Sequence, residues 1–227
     1  MNKQLLLIFY IVLGLLCSFS RLLDGNIAVY MEWFSKPLLM PVLFLYFKKW
    51  TSNYQLLGMG LLFAWFGDLF LMIAGDQFIL FLLGLLSFLV MQVIYIVNYR
   101  RLSAKEIRIQ KQSYLFFIPI IGLGLFFYQM MYPNLDSILK IAVGIYAFAL
   151  VMMNITALSR WKRTPTISFY LVSLGALLFM ISDMMIGYGK FVHSFPASGF
   201  WIMLTYFIGQ LMIIEGVIRH PSIQDVE

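Results

Sequence analysis

The chain has 227 residues, of which 62% are hydrophobic and 11% are charged. Soluble domains carry roughly 25% charged residues, so this composition excludes an ordinary soluble fold. The net charge of +6 would favour a nucleic-acid partner in a soluble protein, but basic cytoplasmic loops account for it in a membrane protein. We therefore predict an integral, multi-pass membrane protein with one transmembrane domain over residues 1–227, surrounded by membrane lipids and without a nucleic-acid partner.

Apolar runs that approach the length of a membrane-spanning helix, about 20 residues, occur eight times along the chain. They predict an all-α polytopic membrane protein with eight transmembrane helices. The predicted spans are Leu5–Ser20, Pro37–Phe47, Tyr54–Ile73, Phe78–Val97, Tyr114–Tyr132, Ser137–Leu158, Ile167–Gly189 and Ser198–Ile218. The second run is short for a bilayer and contains Pro41, so a chain of seven helices stays open.

Lysines and arginines fall unequally on the two ends of these helices. With a cytoplasmic N-terminus, twelve of the 16 lie on the inner side. The other four lie at outer ends: Arg21, Lys36, Lys140 and Lys190. An excess of basic residues marks the cytoplasmic side of membrane proteins. We therefore expect both termini to be cytoplasmic, and the membrane to be the cytoplasmic membrane of a bacterium.

A polar, basic linker at residues 98–113 divides the chain into halves of four predicted helices each, 1–97 and 114–220. The third and seventh helices hold the same place in the two halves, and each carries one aspartate. The fourth and eighth helices also match, because each has an aromatic residue and an amide one turn apart: Phe88 with Gln92, and Tyr206 with Gln210. This pattern suggests a parallel four-plus-four internal repeat.

The two aspartates of this pattern are the strongest candidates for chemistry. Asp68 and Asp183 each follow a Leu-Leu-Phe run within an apolar helix, and acids inside membrane spans are rare and usually functional. Two acids in one apolar pocket do not behave alike, because burial and mutual repulsion leave a proton on one of them. Proton-transfer catalysis requires such an acid and base, so we predict that both are catalytic. In the alternative interpretation they only cross-link helices.

Further polar and aromatic side chains around the aspartates are predicted to contact the substrate. Trp65 and Ser182 lie beside the aspartates on the same helices, and Lys36 stands at the outer start of the predicted second helix. Four more lie on the facing helices: Gln92, Tyr95, Tyr206 and Gln210. Such side chains also link helices, and a lysine near a helix end also extends to the membrane surface, so both interpretations stay open.

Neither a metal site nor a cofactor is predicted. The two histidines, His193 and His220, fall in predicted loops on opposite sides of the membrane. The intramembrane carboxylates are too few to enclose a hard cation. The sequence has no nucleophile elbow, Walker loop or dinucleotide-binding fingerprint.

Short motifs spread over nearly the whole chain resemble one family of membrane proteins. They are Lys36-Pro37, Gly67-Asp68, Gly84-x-x-x-Phe88, Gly175-Ala176-x-x-Phe179-x-x-Ser182-Asp183 and Tyr206-x-x-x-Gln210. In this order and spacing they resemble the YhhN family, the lysoplasmalogenases. The resemblance implies an eight-helix ether hydrolase of lipid metabolism, which converts a lysoplasmalogen to a fatty aldehyde and a glycerophospho head group. That family commonly has histidine where this chain has Gln92, so the chain departs from the family there.

Two aspartates are able to carry out the chemistry that the resemblance implies. One, as the acid, protonates the vinyl carbon remote from oxygen. The other, as the carboxylate, stabilises the oxocarbenium ion and activates water, much as two carboxyl groups act in glycosidases. Lys36 would meet the phosphate of a lysophospholipid, and Trp65 or a tyrosine would face a choline. No obligatory protein partner is expected.

Two other functions stay open at this stage. A proton-coupled transporter of lipids or solutes would use the aspartates to carry protons. Transporters often interrupt matching helices at mid-membrane, however, and here Pro41 and Pro119 fall within the first two turns of their predicted helices, so no proline is expected to break a helix at mid-membrane. A lipid-binding membrane protein without catalytic activity would need neither aspartate.

Overall fold

The computed structural model describes residues 2–53, 55–75, 77–103 and 111–223. Within them the chain forms eight α-helices and one short 3-10 helix, with no strand. The elements are α1 (Lys3–Ser20), α2 (Asn26–Lys48), α3 (Gln55–Ala74), α4 (Phe78–Arg101), α5 (Lys111–Met131), the 3-10 helix (Tyr132–Asn134), α6 (Ser137–Leu158), α7 (Thr166–Phe191) and α8 (Ser198–Ile218). Eight helices are long and apolar enough to cross a membrane. The predicted all-α fold with eight transmembrane helices is confirmed, and Tyr54, the predicted start of the third, lies outside the described residues.

Helix α2 differs most from its prediction. It begins at Asn26, eleven residues before the expected start at Pro37, so that Lys36 is its eleventh residue and both Pro37 and Pro41 lie inside it. Charged residues such as Glu32 and Lys36 give this helix the lowest mean hydropathy of the eight. Its first half is therefore not recognised as part of an apolar run. The placement of Lys36 and Pro37 at the start of the helix is therefore wrong.

A side chain of α3 compensates for one of the two prolines. Pro41 has no backbone N–H, so it leaves the carbonyl oxygen of Pro37, four residues earlier, without its helical partner. Trp65 of α3 donates a hydrogen bond from Nε1 to this oxygen at 2.8 Å. Helix α2 therefore continues through both prolines and is joined to α3 one turn before Asp68.

Consecutive helices form the main packing pairs of the bundle: α1 with α2, α3 with α4, and α7 with α8, while α1 also packs against α8. The α7–α8 pair is closest at two glycines. A Cβ added to Gly175 would lie 2.7 Å from the carbonyl oxygen of Gly209, and one added to Gly209 would lie 2.9 Å from that of Gly175. Glycines permit this approach of two backbones, which places Tyr206 of α8 beside the aspartate-bearing helices.

The contacts between helices agree with a four-plus-four arrangement. Helix α3 packs between α2 and α4, and α7 packs between α6 and α8, as two parallel copies of one four-helix unit would. The repeat, the single-domain assignment and the cytoplasmic side of the termini stay predictions. Residues 104–110 of the predicted basic linker lie outside the described residues, and the helices on either side of it end at Arg101 and begin at Lys111.

A buried arginine holds together the end of the bundle that is predicted to be cytoplasmic. Arg160, just after α6, is fully buried and donates from Nη2 to Ser168 Oγ at 2.9 Å, while Ser168 donates to the Gly216 carbonyl oxygen at 2.6 Å. Its guanidinium also lies 5.7 Å from the ring centroid of Tyr99. Burial lowers the pKa of Arg160 to about 10, so the group stays charged at neutral pH and ties α4, α7 and α8 together.

Candidate active site

Asp68 lies on α3 with two partners from other helices. Its side chain is buried, with 3% of its surface exposed. Tyr206 of α8 donates its hydroxyl hydrogen to Asp68 Oδ2 at 2.8 Å. Lys36 of α2 interacts electrostatically with the same carboxyl group. Asp68 therefore has one hydroxyl donor and one cation beside it.

Asp183 lies on α7 and has a different set of partners. Tyr146 of α6 donates its hydroxyl hydrogen to Asp183 Oδ2 in a short hydrogen bond, and Gln92 of α4 donates from Nε2 to the same oxygen over a longer 3.5 Å. Both are neutral donors, and no basic side chain is bonded to Asp183 in the part of the chain that the structure describes. Sequence reasoning included Gln92 but missed Tyr146.

The position of Tyr146 along its helix could have indicated it from the sequence. Tyr146 is nine residues from the start of α6, and Asp183 is eight residues from the end of α7. At 1.5 Å per residue both are roughly 12–14 Å from the same end of the bundle. A search for polar groups at the depth of each aspartate would therefore have found Tyr146, although no motif marks it.

The two aspartates belong to one polar region inside the bundle. Their carboxyl groups interact electrostatically with each other. Three aromatic rings pack against one another beside them, those of Phe88, Phe179 and Tyr206, with centroids 5.9 to 6.0 Å apart in each pair. The hydroxyl of Tyr206 bonds to Asp68 from this cluster, and Phe179 lies one turn before Asp183. The rings are buried, so they give the site an apolar surrounding.

Asp183 and Tyr146 line a narrow apolar slot between α4, α5, α6 and α7, with a cavity volume of about 50 Å³. Its other walls are almost entirely hydrophobic. They include Phe81, Phe88, Phe127, Met131, Met180 and Met184. Methionine side chains are unbranched and adapt to what lies beside them, so this slot is able to widen around an alkyl chain. The carboxyl group is the one acidic group among the described residues of its wall.

A second cavity, which we call the vestibule, opens at the end of the bundle where α3 and α7 finish and α8 begins. Its volume is about 350 Å³, within the usual range of ligand sites. Polar side chains in its wall are Arg21, Lys36, Lys190, Ser194 and Ser198. The vestibule and the slot share three wall residues: Leu71, Phe81 and Ile186. A basic cavity therefore adjoins an apolar one, and Asp183 lies in the wall of the apolar cavity.

Other predicted site residues mainly connect helices. Trp65 bonds to the Pro37 carbonyl as described above, and Ser182 donates to the Ile202 carbonyl oxygen of α8 at 2.9 Å. Tyr95 donates to Gln210 Oε1 at 2.8 Å, so these two bond to each other, one turn beyond Gln92 and Tyr206. The structure thus brings Lys36, Gln92 and Tyr206 to the aspartates and places these four around them.

Within the described ranges there is no group of three histidine, cysteine, aspartate or glutamate side chains that could hold a metal ion. His193 follows α7 and His220 follows α8, at opposite ends of the bundle. The polar groups around the two aspartates are hydroxyl, amide and ammonium groups.

Comparison with known proteins identifies the family. The sequence model of the YhhN family matches residues 31–217, which include both aspartates and their four partners, Lys36, Gln92, Tyr146 and Tyr206. The chain belongs to the YhhN family. The family match also covers Lys190 of the vestibule, while Arg21 lies before it.

Two curated relatives carry the same printed name. The chain is 30% identical over 175 residues to "Lysoplasmalogenase TMEM86A" of Bos taurus, an alignment that covers 73% of this chain and 67% of the relative. It is 28% identical over 163 residues to the protein of that name from Homo sapiens, over 68% of this chain and 61% of the relative. The chain thus spans about two thirds of the length of these relatives. No solved structure matches it significantly.

Proposed function

We propose that this protein is a membrane-embedded hydrolase that cleaves the vinyl ether bond of a lysoplasmalogen, to give a fatty aldehyde and a glycerophospho head group. The names of the two relatives support this reaction. The observation that carries the proposal is a pair of buried, interacting carboxyl groups, of which Asp183 lines the apolar slot while Lys36, the cation that interacts with Asp68, lines the basic vestibule. A lysophospholipid has the matching arrangement, with its reactive bond between one chain and a phosphate.

The different partners of the two aspartates lead us to assign them different roles. Lys36 lies beside Asp68 and compensates a negative charge there, whereas Asp183 has only neutral donors. When two close acids share one proton, the proton resides on the acid without the cation. We assign Asp183 as the acid and Asp68 as the carboxylate. Asp183 also lines the slot, where the double bond of a bound chain would lie.

The hydrogen bonds of Asp183 fit the role of a proton donor. Tyr146 and Gln92 both donate to Oδ2, so this oxygen acts as the carbonyl oxygen of an undissociated acid. The proton is then carried by Oδ1, which no described hydrogen bond occupies. The short hydrogen bond from Tyr146 orients the carboxyl group, the longer one from Gln92 adds little, and orientation is a large part of catalytic efficiency.

The reaction then proceeds in three balanced steps. Asp183 transfers its proton to the vinyl carbon remote from oxygen, which leaves an oxocarbenium ion beside two carboxylates that stabilise it. Water adds to the cationic carbon and gives up a proton to Asp183, forming a hemiacetal. In the last step Asp183 protonates the glycerol oxygen as its bond to the hemiacetal carbon breaks, and Asp68 takes the proton of the hemiacetal hydroxyl, so that an aldehyde and a free hydroxyl group leave. One water is consumed, and the pair of aspartates again holds one proton, which returns to Asp183.

The environment of the site supports this chemistry in two ways. Burial of the carboxyl groups in an apolar region strengthens their interaction with a developing cation, because little water screens it. The apolar slot and the surrounding membrane give the released aldehyde a path that avoids water. We further propose the cytoplasmic membrane of a bacterium as the location, with the vestibule on the outer side, since the basic residues favour that orientation.

The test is to offer the purified protein three lysolipids that differ only in the bond at the first carbon: vinyl ether, alkyl ether and ester. We expect aldehyde from the vinyl ether alone, because only this bond forms an oxocarbenium ion by carbon protonation. Aldehyde and free fatty acid are quantified together by mass spectrometry. Fatty acid from the ester would replace the proposal with ester hydrolysis, and absence of both products would contradict an enzyme.

A proton-coupled transporter is supported less well. Matching helices of the two halves are interrupted in many transporters. Here α2 contains Pro37 and Pro41 but runs through both, and its counterpart α6 contains no proline. Uptake of lysolipid into proteoliposomes, driven by a pH gradient and without product, would favour transport.

A further inference from the structure

Three cations face the vestibule, whereas the carboxyl groups that interact with two of them, Asp68 and Glu32, do not line it. Arg21, Lys36 and Lys190 lie in its wall, together with the hydroxyl groups of Ser194 and Ser198. No acidic residue lines it among the residues that the structure describes. Every charged or hydroxyl group in the described wall is therefore able to donate a hydrogen bond to an anion.

Lys36 is the most deeply buried of the three cations in this wall, and burial of an ammonium group is unusual. Only 6% of its surface is exposed, and no hydrogen-bond acceptor contacts its ammonium group within the described ranges. A buried ammonium is costly unless it is paired and hydrogen-bonded. Asp68 supplies an electrostatic partner but no hydrogen bond, so the three N–H donors of Lys36 are available to oxygen atoms in the vestibule.

The other two cations lie nearer to the surface and make contacts that a ligand is able to replace. Arg21 pairs with Glu32, which leaves other guanidinium N–H groups unused. Lys190 donates from Nζ to the Gly75 carbonyl oxygen at 3.4 Å and lies 5.6 Å from the ring centroid of Phe81. A hydrogen bond of that length is weak, so Lys190 is able to turn towards an anion at small cost.

We infer that the vestibule is a head-group subsite that selects lysophospholipids of net negative charge, such as those with a phosphomonoester or a phosphoglycerol, over zwitterionic phosphocholine. This inference rests on the proposed function for its substrate class. Lys36 binds the phosphate at the inner end, and Lys190 and Arg21 favour additional negative charge at the rim. The quaternary ammonium of phosphocholine would instead lie among cations, and like charges brought together discriminate against a ligand.

Binding measurements with alkyl ether lysolipids test this selectivity separately from catalysis, because a vinyl ether hydrolase does not cleave them. The purified full-length protein is titrated calorimetrically in detergent with alkyl-glycero-phosphate, alkyl-glycero-phosphoglycerol and alkyl-glycero-phosphocholine of one chain length. We expect the first two to bind about tenfold more tightly than phosphocholine at low salt, and this ratio to shrink at about 0.5 M salt as ions screen the rim.

Lys190→Gln and Lys140→Gln form a matched pair of variants. Both lysines lie at the same predicted end of the bundle and face an aromatic ring, but only Lys190 lines the vestibule. We expect Lys190→Gln to reduce the preference to about threefold and Lys140→Gln to keep it. Glycerol 3-phosphate and inorganic phosphate, added as competitors, show whether the subsite binds the phosphate group alone or requires the attached lipid.

Equal binding of the anionic lysolipids and phosphocholine, or an equal effect of the two lysine variants, would overturn the inference. Its failure is distinguishable from failure of the proposed function. Aldehyde release without an anionic preference contradicts only the selective vestibule. Anionic preference without aldehyde release from any vinyl ether lysolipid contradicts only the hydrolase.

Discussion

The Asp68 region and the Asp183 region are built alike but have different electrostatic partners. Asp68 lies on α3 and Asp183 on α7, and each receives a tyrosine hydroxyl from another helix. The remaining partner of Asp68 is the Lys36 ammonium, whereas that of Asp183 is the Gln92 amide. Our assignment of one acid and one carboxylate rests on this difference between a cation and a neutral amide.

In the predicted repeat, α2 and α6 would be equivalent helices. Lys36 of α2 interacts with Asp68, and Tyr146 of α6 bonds to Asp183. The residue types differ, so part of the asymmetry that we propose for the two acids would come from these two helices.

The largest effects are expected from removing each acid. Asp183→Asn should lower turnover of a vinyl ether lysolipid about a thousandfold, because an amide cannot protonate carbon, and Asp68→Asn about a hundredfold. Single-turnover aldehyde release measures both. Asp136→Asn is the control, since Asp136 caps α6 and asparagine is an equally good cap. Wild-type turnover in either site variant would rule out the two-carboxylate mechanism, and the reverse order of effects would exchange the two roles.

Removing the tyrosine hydroxyls sharpens the comparison. Tyr146→Phe should reduce kcat about tenfold, because it takes away the shorter of the two hydrogen bonds that orient Asp183. Tyr206→Phe should reduce it less, since Lys36 still stabilises Asp68. Steady-state kinetics on folded, monodisperse protein gives the ratio. Tyr99→Phe, which changes a buried tyrosine at the other end of the bundle, should leave turnover unchanged. Equal losses in both site variants would contradict the different partner sets.

Gln92→His tests the neutral character of the Asp183 partners. Imidazole becomes charged below about pH 6.5, and a cation there would favour the ionised form of Asp183 and remove the acid. The variant should therefore match the wild type near pH 8 and lose activity several-fold near pH 5.5. Gln210→His, at the corresponding place of the other half, should not introduce this dependence. Parallel pH profiles for Gln92→His and the wild type would contradict the assignment of Asp183.

The smallest effect concerns Trp65 and the stability of α2. Trp65→Phe removes the hydrogen bond to the Pro37 carbonyl and should lower the free energy of unfolding by about 1 kcal/mol. In a Pro41→Ala background the new backbone N–H of residue 41 donates a hydrogen bond to the Pro37 carbonyl oxygen. Trp65→Phe should therefore lower the free energy of unfolding by less in that background. Thermal unfolding of the four proteins forms a double-mutant cycle. If the effects of Trp65→Phe and Pro41→Ala on the free energy of unfolding are additive, and Trp65→Phe weakens the binding of choline lysolipids, the substrate contact predicted for Trp65 would be favoured instead.

The sequence predicts the parts of this structure that depend on continuous apolar runs. Seven helices agree closely with their predicted spans, and the aspartates stand out because charges are rare in such segments. The first half of α2 is missed because Glu32, Lys36 and Pro37 make it resemble a loop. Tyr146 is missed because a single tyrosine in an apolar helix has no local signature. The vestibule depends on residues from separate helix ends, and only folding brings Arg21 and Lys190 together.

The buried lysine of α2 also affects how the chain is made. During synthesis Lys36 leaves the ribosome before Asp68, and α2 is the least hydrophobic of the eight spans. A lone ammonium within a weakly apolar segment is a poor candidate for integration by itself. We therefore expect stable integration of α2 to require α3, whose carboxyl group and indole supply partners for Lys36 and for the Pro37 carbonyl. A chain that lacks Asp68 should then accumulate in the membrane in smaller amounts.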